Sequence, residues 1–205
     1  YLLNGSSAWA LFLFAVHFIF AGCLLVGYKT KISTVVVWLL YISLHNRNLF
    51  IQQAGDDLLR LLLLWGVFLP WHTRYSIDAR QKIRFQKQHI AANIGYMLLL
   101  ASVYFFAAVL KTGKEWYAEG DAVYYALSLD QLKLPGVGDW LYSYPKLMKL
   151  ITRLVLSLEL VVAFLILLPS KNGRFRGFSF LLLLILHLGI GLTLYVGMFF
   201  LIGIV

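Results

Sequence analysis

Long apolar runs constrain this chain more than any other feature. Ala8 to Tyr28 is a run of hydrocarbon and aromatic side chains interrupted by His17. Its length is close to the roughly 20 residues a helix needs to cross a bilayer core of about 30 Å. Ile90–Leu110, Leu150–Leu168 and Phe178–Val205 repeat the pattern, and Ile32–Leu44 is a shorter version of it. Backbone immersed in hydrocarbon must satisfy its own hydrogen bonds, so such runs become helices. The expectation is therefore an all-α, polytopic membrane protein of about six transmembrane or partly embedded helices, forming a single domain over residues 1–205. Hydrophobic residues at 61% and charged residues at 13% exclude an ordinary soluble domain. The net charge of +9 sits in the loops between spans rather than on a basic stripe, so nucleic acid is not an expected partner and membrane lipid is. The lone Cys23 lies inside an apolar run and cannot form an internal disulfide. A chain that starts at Tyr1 without Met and stops in the apolar run Phe199–Val205 reads as cut from a longer protein, with a further span expected ahead of it.

Between the second and third apolar runs lies a contrasting stretch, Ser43 to Trp71. It gathers His45, Asn46, Arg47, Asn48, Gln52, Gln53, Asp56, Asp57 and Arg60 before turning apolar from Leu61 to Leu69. A helix over Asp57–Leu69 is only about 20 Å long, too short for a bilayer core. Either it starts below the surface or it carries Asp56, Asp57 and Arg60 into the membrane, where charge is tolerated only against protein or water. A polar pocket is expected here, roofed by the segment before Gly55. Asp56 is the expected N-cap, and Asp56 or Asp57 can pair with Arg60 on one helix face. Pro70 ends the helix.

Loop charge sets the orientation. The loops at 29–31, 71–89 and 169–177 alternate to one side and hold ten Lys and Arg, whereas the loop at 45–56 holds one. The positive set marks the cytoplasmic face, so 45–57 and 111–149 face outward from a cell inner or plasma membrane. The loop at 111–149 balances five Lys against five acids and is rich in Trp and Tyr, which suits a segment lying along the interface. Pro145 falls where the first turn of the next helix begins, and Pro169 stops that helix. The last apolar run, with Gly189, Gly191, Gly197 and Gly203, is long for one span and is expected to tilt, kink or pack closely.

Three ionisable residues stand where they are costly. Lys111 follows the fourth span directly; it is either an interfacial lysine with its ammonium in the headgroups or a desolvated base. Glu159 and His187 each lie nine residues into antiparallel spans, so their depths match and His187 is the first candidate partner for Glu159. Such a pair is a proton relay or an interhelical hydrogen bond. His17 reads as a packed residue. No paired His or Cys at ligand spacing points to a metal, and no phosphate loop, dinucleotide fingerprint or nucleophile elbow is present.

Ser43-Leu-His-Asn-Arg-Asn48, Gly55-Asp-Asp-Leu-Leu-Arg60, Phe68-Leu-Pro70 and Tyr75-Ser-Ile-Asp78, followed by Tyr104-Phe-Phe-Ala-Ala-Val-Leu-Lys111, Trp116, Gly120, Glu159 and His187-Leu-Gly189, resemble the HTTM family. These are the horizontally transferred transmembrane domains, the superfamily of vitamin K-dependent gamma-glutamyl carboxylase, and the resemblance covers nearly the whole chain. The carboxylase carries a stretch like Ala-Gly-Val-Lys-Lys ahead of an acid and Trp, which Ala107-Ala-Val-Leu-Lys111 with Glu115-Trp116 matches. The resemblance implies that Lys111 is the base acting on a reduced vitamin K-type quinone. Leu110 stands where the family has the first lysine of the pair, and Arg47 near where it has a functional histidine. Two functions follow. One is quinol-dependent modification of the carboxylation or epoxidation type at the extracytoplasmic face, with Arg47, Asp56, Asp57, Arg60, Glu159 and His187 shaping the pocket and no metal. The other is a non-enzymatic membrane factor that matures an exported peptide or toxin.

Overall fold

The computed structural model describes residues 6–46, 52–73, 76–81, 90–170 and 172–203. The described residues are helical almost throughout, and they divide into two compact units, Tyr1–Tyr96 and Met97–Val205.

In the first unit, α1 (Ser7–Val26) and α2 (Thr30–His45) form a hairpin, and α3 (Ala54–Gly66) packs on α2. Ser6 caps α1 by accepting from the Trp9 N–H at 3.3 Å. Gly27 ends it in the left-handed region, φ 71°, and the Tyr28 N–H reaches back to the Cys23 carbonyl at 2.8 Å. A side chain at Gly27 would meet Ser76 as well as adopt that strained φ, so glycine is required twice over. Asp78, from a 3-10 turn at Asp78–Gln81, supplies the cap that α2 lacks in its own sequence. Its carboxylate accepts from the Lys29 N–H at 2.9 Å, the Thr30 N–H at 2.8 Å and the Thr30 hydroxyl at 2.8 Å. The buried Ser33 and Thr34 hydroxyls donate to the Tyr28 and Thr30 carbonyls. The Ile77 N–H also donates to the Val26 carbonyl at 3.1 Å. Two of the loops expected on one face, 29–31 and 71–89, thus meet through these described residues.

The short helix begins three residues earlier than expected. Gln53, not Asp56, is the N-cap; Asp56 sits one turn inside and its carboxylate accepts from the Gln53 N–H at 2.9 Å. The difference is physical: a carboxylate in the first turn can reach back to the cap N–H as well as forward. The helix ends at Gly66, before Pro70 is reached. Trp65 lies against Gly95 in the first turns of α4 (Ile90–Val109), where no larger residue would fit.

In the second unit, α4 packs through Ala101 and Tyr104 on α8 (Pro145–Leu167), with Val162, Ala163 and Ile166 buried on the α8 side. Leu182 and Leu183 of α9 (Arg174–Thr193) pack against the same cluster. Pro145 occupies the first turn of α8, and the helix stops at Leu167, just before Pro169. The stretch 111–149 folds into three short helices, α5 (Lys114–Tyr117), α6 (Ala122–Ser128) and α7 (Val137–Tyr142), with a small core of Leu127, Leu141 and Met148. The fully buried Thr152 fastens this layer to α8: its hydroxyl accepts from the Val123 N–H and donates to the Met148 carbonyl.

The last apolar run is not a single span. Helix α9 begins one turn before Phe178 and stops at Thr193. Leu194 then bridges to Lys133, with the Leu134 N–H on the Thr193 carbonyl at 2.9 Å and the Tyr195 N–H on the Leu132 carbonyl at 2.5 Å. Gly197, φ 59°, turns the chain into α10 (Phe199–Ile202), which folds back on α9 so that Phe200 lies against Gly191. Among the described residues, α1, α4, α8 and α9 are long and apolar enough to cross a membrane, and α2 is a shorter apolar helix. With α3 they make up the expected set of about six, and the protein is a polytopic helical membrane protein.

Candidate functional site

Lys111 directly follows the turn that closes α4, and Glu159 projects from α8 about 20 Å along that helix from Pro145 at 1.5 Å per residue. The two form a direct ion pair through Nζ and Oε2. The Lys111 side chain keeps 20% of its surface accessible and the Glu159 side chain 11%, so the lysine is the outer member of the pair. The Trp116 ring of α5 lies under the same ammonium, 4.7 Å from centroid to Nζ. Tyr117 helps to hold α5 over the end of α4, its hydroxyl donating to the Ala108 carbonyl at 3.5 Å.

Beside the pair lies an aromatic wall. Tyr104, buried on α4, meets His187 of α9 edge to face at 6.1 Å. His187 Nδ1 donates to the Leu183 carbonyl at 2.9 Å; a carbonyl only accepts, so this nitrogen carries the proton. Phe199 of α10 packs on the His187 ring at 5.7 Å, and Gly203 approaches the same ring so closely that a Cβ there would overlap it. The short hook thus seals one side of the histidine. Sequence reasoning offered His187 as the first partner for Glu159, but the recorded ion pair is with Lys111. Depth explains the difference. Helix α8 begins at Pro145 rather than at the expected Leu150, so Glu159 lies further along its helix than the count of nine residues placed it.

The remaining residues named from sequence lie in the first unit. Asp56 accepts from the Tyr41 hydroxyl at 3.0 Å in addition to its own cap N–H. Arg60 pairs with Asp57 at 2.9 Å, and both are substantially exposed. Gln52 Nε2 donates to the His45 carbonyl at 2.7 Å, and Tyr41 stacks on the His45 ring. The structure therefore brings Asp56, Asp57 and Arg60 together on α3 and pairs Lys111 with Glu159 of α8, while His187 meets Tyr104 and Phe199 instead. Arg47 lies outside the described residues. The first unit has a cavity of about 460 Å³, lined by Val26, Ser76, Ile77, Ala79 and Arg80. It sits at the α1–α2 turn, the opposite end of the hairpin from Asp56. Among the described residues no cluster of His, Cys, Asp and Glu could hold a metal.

Membrane-length helices with one buried lysine–carboxylate pair beside the end of a span define a polytopic membrane protein with an intramembrane ionisable centre. The model of the HTTM domain matches residues 2–205, and the chain belongs to that family. No curated protein and no solved structure matches it.

Proposed function

We propose that this HTTM chain is a membrane enzyme of the vitamin K-dependent carboxylase type, in which the Lys111–Glu159 pair handles a proton of a reduced quinone. One observation carries this reading. The pair combines a buried carboxylate with an ammonium that is still reachable, at the mouth of an apolar span. Intramembrane ionisable groups are costly and mark proton or substrate pathways. The residues present suit a flat, apolar head carrying ionisable hydroxyls. Trp116 and Tyr104 supply aromatic walls, and Lys111 and Glu159 supply the few polar atoms that such a site needs. When bound, a reduced vitamin K-type quinone would supply an oxygen-reactive centre whose oxidation generates a strong base. Lys111 orients the reacting hydroxyl, and the pair takes its proton. His187, sealed by α10, supports the Tyr104 wall.

The bias of Lys and Arg toward three loops supports a cell inner or plasma membrane location with this site facing outward. Asp56, Asp57 and Arg60, with Arg47, are read as pocket-forming residues of the first unit. An exported peptide or protein is the proposed final substrate. A second reading, a non-enzymatic factor that matures an exported peptide or toxin, draws on the exposed aromatic face of the short helices, Tyr117, Tyr125, Trp140 and Tyr144. Binding of a reduced naphthoquinone to the full chain in detergent separates the two. The enzyme reading expects saturable binding that weakens at least about tenfold in Lys111→Ala, a loss of roughly 1.4 kcal/mol. Absence of binding to folded protein, with function lost on Trp140→Ala and retained in Lys111→Ala, would favour the factor.

A further inference from the structure

We infer that the turn of the α1–α2 hairpin holds the phosphate headgroup of an anionic phospholipid, with Arg80 as its cation and the end of α1 as the wall for its acyl chains. Nothing in this site depends on quinol chemistry: it lies in the first unit and uses neither Lys111 nor Glu159.

The site is made by a loop segment docked on the turn. The Ile77 N–H donates to the Val26 carbonyl at 3.1 Å and the Asp78 N–H to the Gly27 carbonyl at 3.0 Å. Ser76 approaches Gly27 so closely that a side chain there would overlap it. The cavity of about 460 Å³ is lined by Val26 of α1 and by Ser76, Ile77, Ala79 and Arg80 of the docked segment. Ligand sites commonly enclose about 300–1,000 Å³. Arg80 brings a planar fork of N–H donors that matches two phosphate oxygens at once. Among the described residues no carboxylate pairs with it. Asp78 is the one acid of residues 71–89, and its carboxylate is turned to the Lys29 N–H and to the N–H and hydroxyl of Thr30.

The surroundings select a lipid over a soluble phosphate ester. Leu25 is 87% exposed, and Val26, Ile32 and Ile77 are exposed as well. Helix α1 is long and apolar enough to cross a membrane, and none of its residues is buried. Acyl chains cover such a surface; a soluble ester leaves it in water. Charge points the same way. Lys29 and Lys31 are exposed at the turn, and Arg74, Lys82, Arg84 and Lys87 accompany Arg80 in the sequence of the docked loop. Basic segments beside a span attract anionic headgroups, and a basic pocket there gives the headgroup a fixed seat.

Native mass spectrometry of the full chain tests this. The protein, in mild detergent, would be equilibrated with equal amounts of dioleoyl phosphatidylglycerol and dioleoyl phosphatidylcholine, which share their chains and differ in headgroup charge. Wild type should retain phosphatidylglycerol about tenfold more often than phosphatidylcholine. Arg80→Gln should cut that preference about fivefold, the weight of a single basic side chain at an anionic surface. Arg80→Lys should keep more of it than glutamine does, and Ala79→Phe, which fills the cavity, should abolish it. Arg176→Gln, in the exposed basic loop of the second unit, should leave it unchanged. Equal retention of the two lipids by wild type would overturn the proposal with no variant needed. So would equal losses in Arg176→Gln and Arg80→Gln, the mark of diffuse charge rather than a site. Glycerol phosphate at the same concentration should not displace the lipid; displacement would make the ligand a soluble ester and overturn the lipid assignment.

Discussion

At the residue scale, residues named from sequence form two ion pairs that differ in burial and so in consequence. Lys111 and Glu159 are mostly withdrawn from solvent, whereas Asp57 and Arg60 lie on an exposed face of α3. Removing one member of a buried pair leaves an uncompensated charge, at a cost of about 3 kcal/mol or more. Lys111→Ala should therefore lower the unfolding temperature in detergent clearly, and Asp57→Ala hardly at all, because exposed pairs contribute at most about 1 kcal/mol. The double change Lys111→Met with Glu159→Leu should recover most of the lost stability, since two packed apolar side chains need no partner. If the double variant is no more stable than Lys111→Ala, the pair is not what stabilises this region. Sequence alone marked Lys111, Glu159 and His187 individually, because ionisable residues in apolar runs are conspicuous. It did not pair the lysine with the glutamate, because depth was counted from a span start at Leu150 whereas the helix begins at Pro145.

At the scale of elements, boundaries are fixed by single polar contacts. Asp78 donates no proton yet satisfies three donors at the start of α2. Asp78→Ala should destabilise the α1–α2 hairpin by about 1–2 kcal/mol, read as earlier thermal unfolding and faster amide exchange at Lys29 and Thr30. Unchanged exchange at those amides would show that the cap is dispensable. The bridge between Lys133 and Leu194 is steadied by a second device. Lys133 binds Asp139 at 3.0 Å, and this contact, with the Gly136 N–H behind it, holds the Asp139 carboxyl below its ordinary 3.8. A lowered acid stabilises the fold above its ordinary value and loses that contribution as pH falls through the lowered one. The same contact raises Lys133 above its ordinary 10.5, so the lysine side of the pair persists below that value and is lost as pH rises through the raised one. Protection factors for the Leu134 and Tyr195 amides should accordingly fall below pH 3.8 in wild type and stay low at every pH in Asp139→Asn. A flat profile in wild type would contradict this. The sequence marked this run as long for one span and apt to kink, but it did not place the break at Leu194. Its residues are as apolar as the helix before them, and backbone pairing with Leu132 and Leu134 decides the turn, with only Gly197 as a local sign.

At the scale of the molecule, hydropathy marked the spans well because residues facing lipid must be apolar whatever their neighbours are. Orientation rests on loop charge, and the meeting of the Gly27–Thr30 turn with Ser76–Asp78 agrees with placing those two loops together. In a Cys23→Ser background, cysteine at Glu119 should react with a membrane-impermeant maleimide in intact cells, and cysteine at Arg174 only after permeabilisation. The reverse pattern would put the Lys111 site on the cytoplasmic side. Function was the least legible level, since membership of the HTTM family fixes the scaffold and not the chemistry. The measurement closest to the central claim is epoxide formation from reduced naphthoquinone by the reconstituted full chain, wild type beside Lys111→Ala. Epoxide made by wild type and lost in folded Lys111→Ala protein is the predicted result. Equal epoxide from both, or none from wild type, would contradict the account.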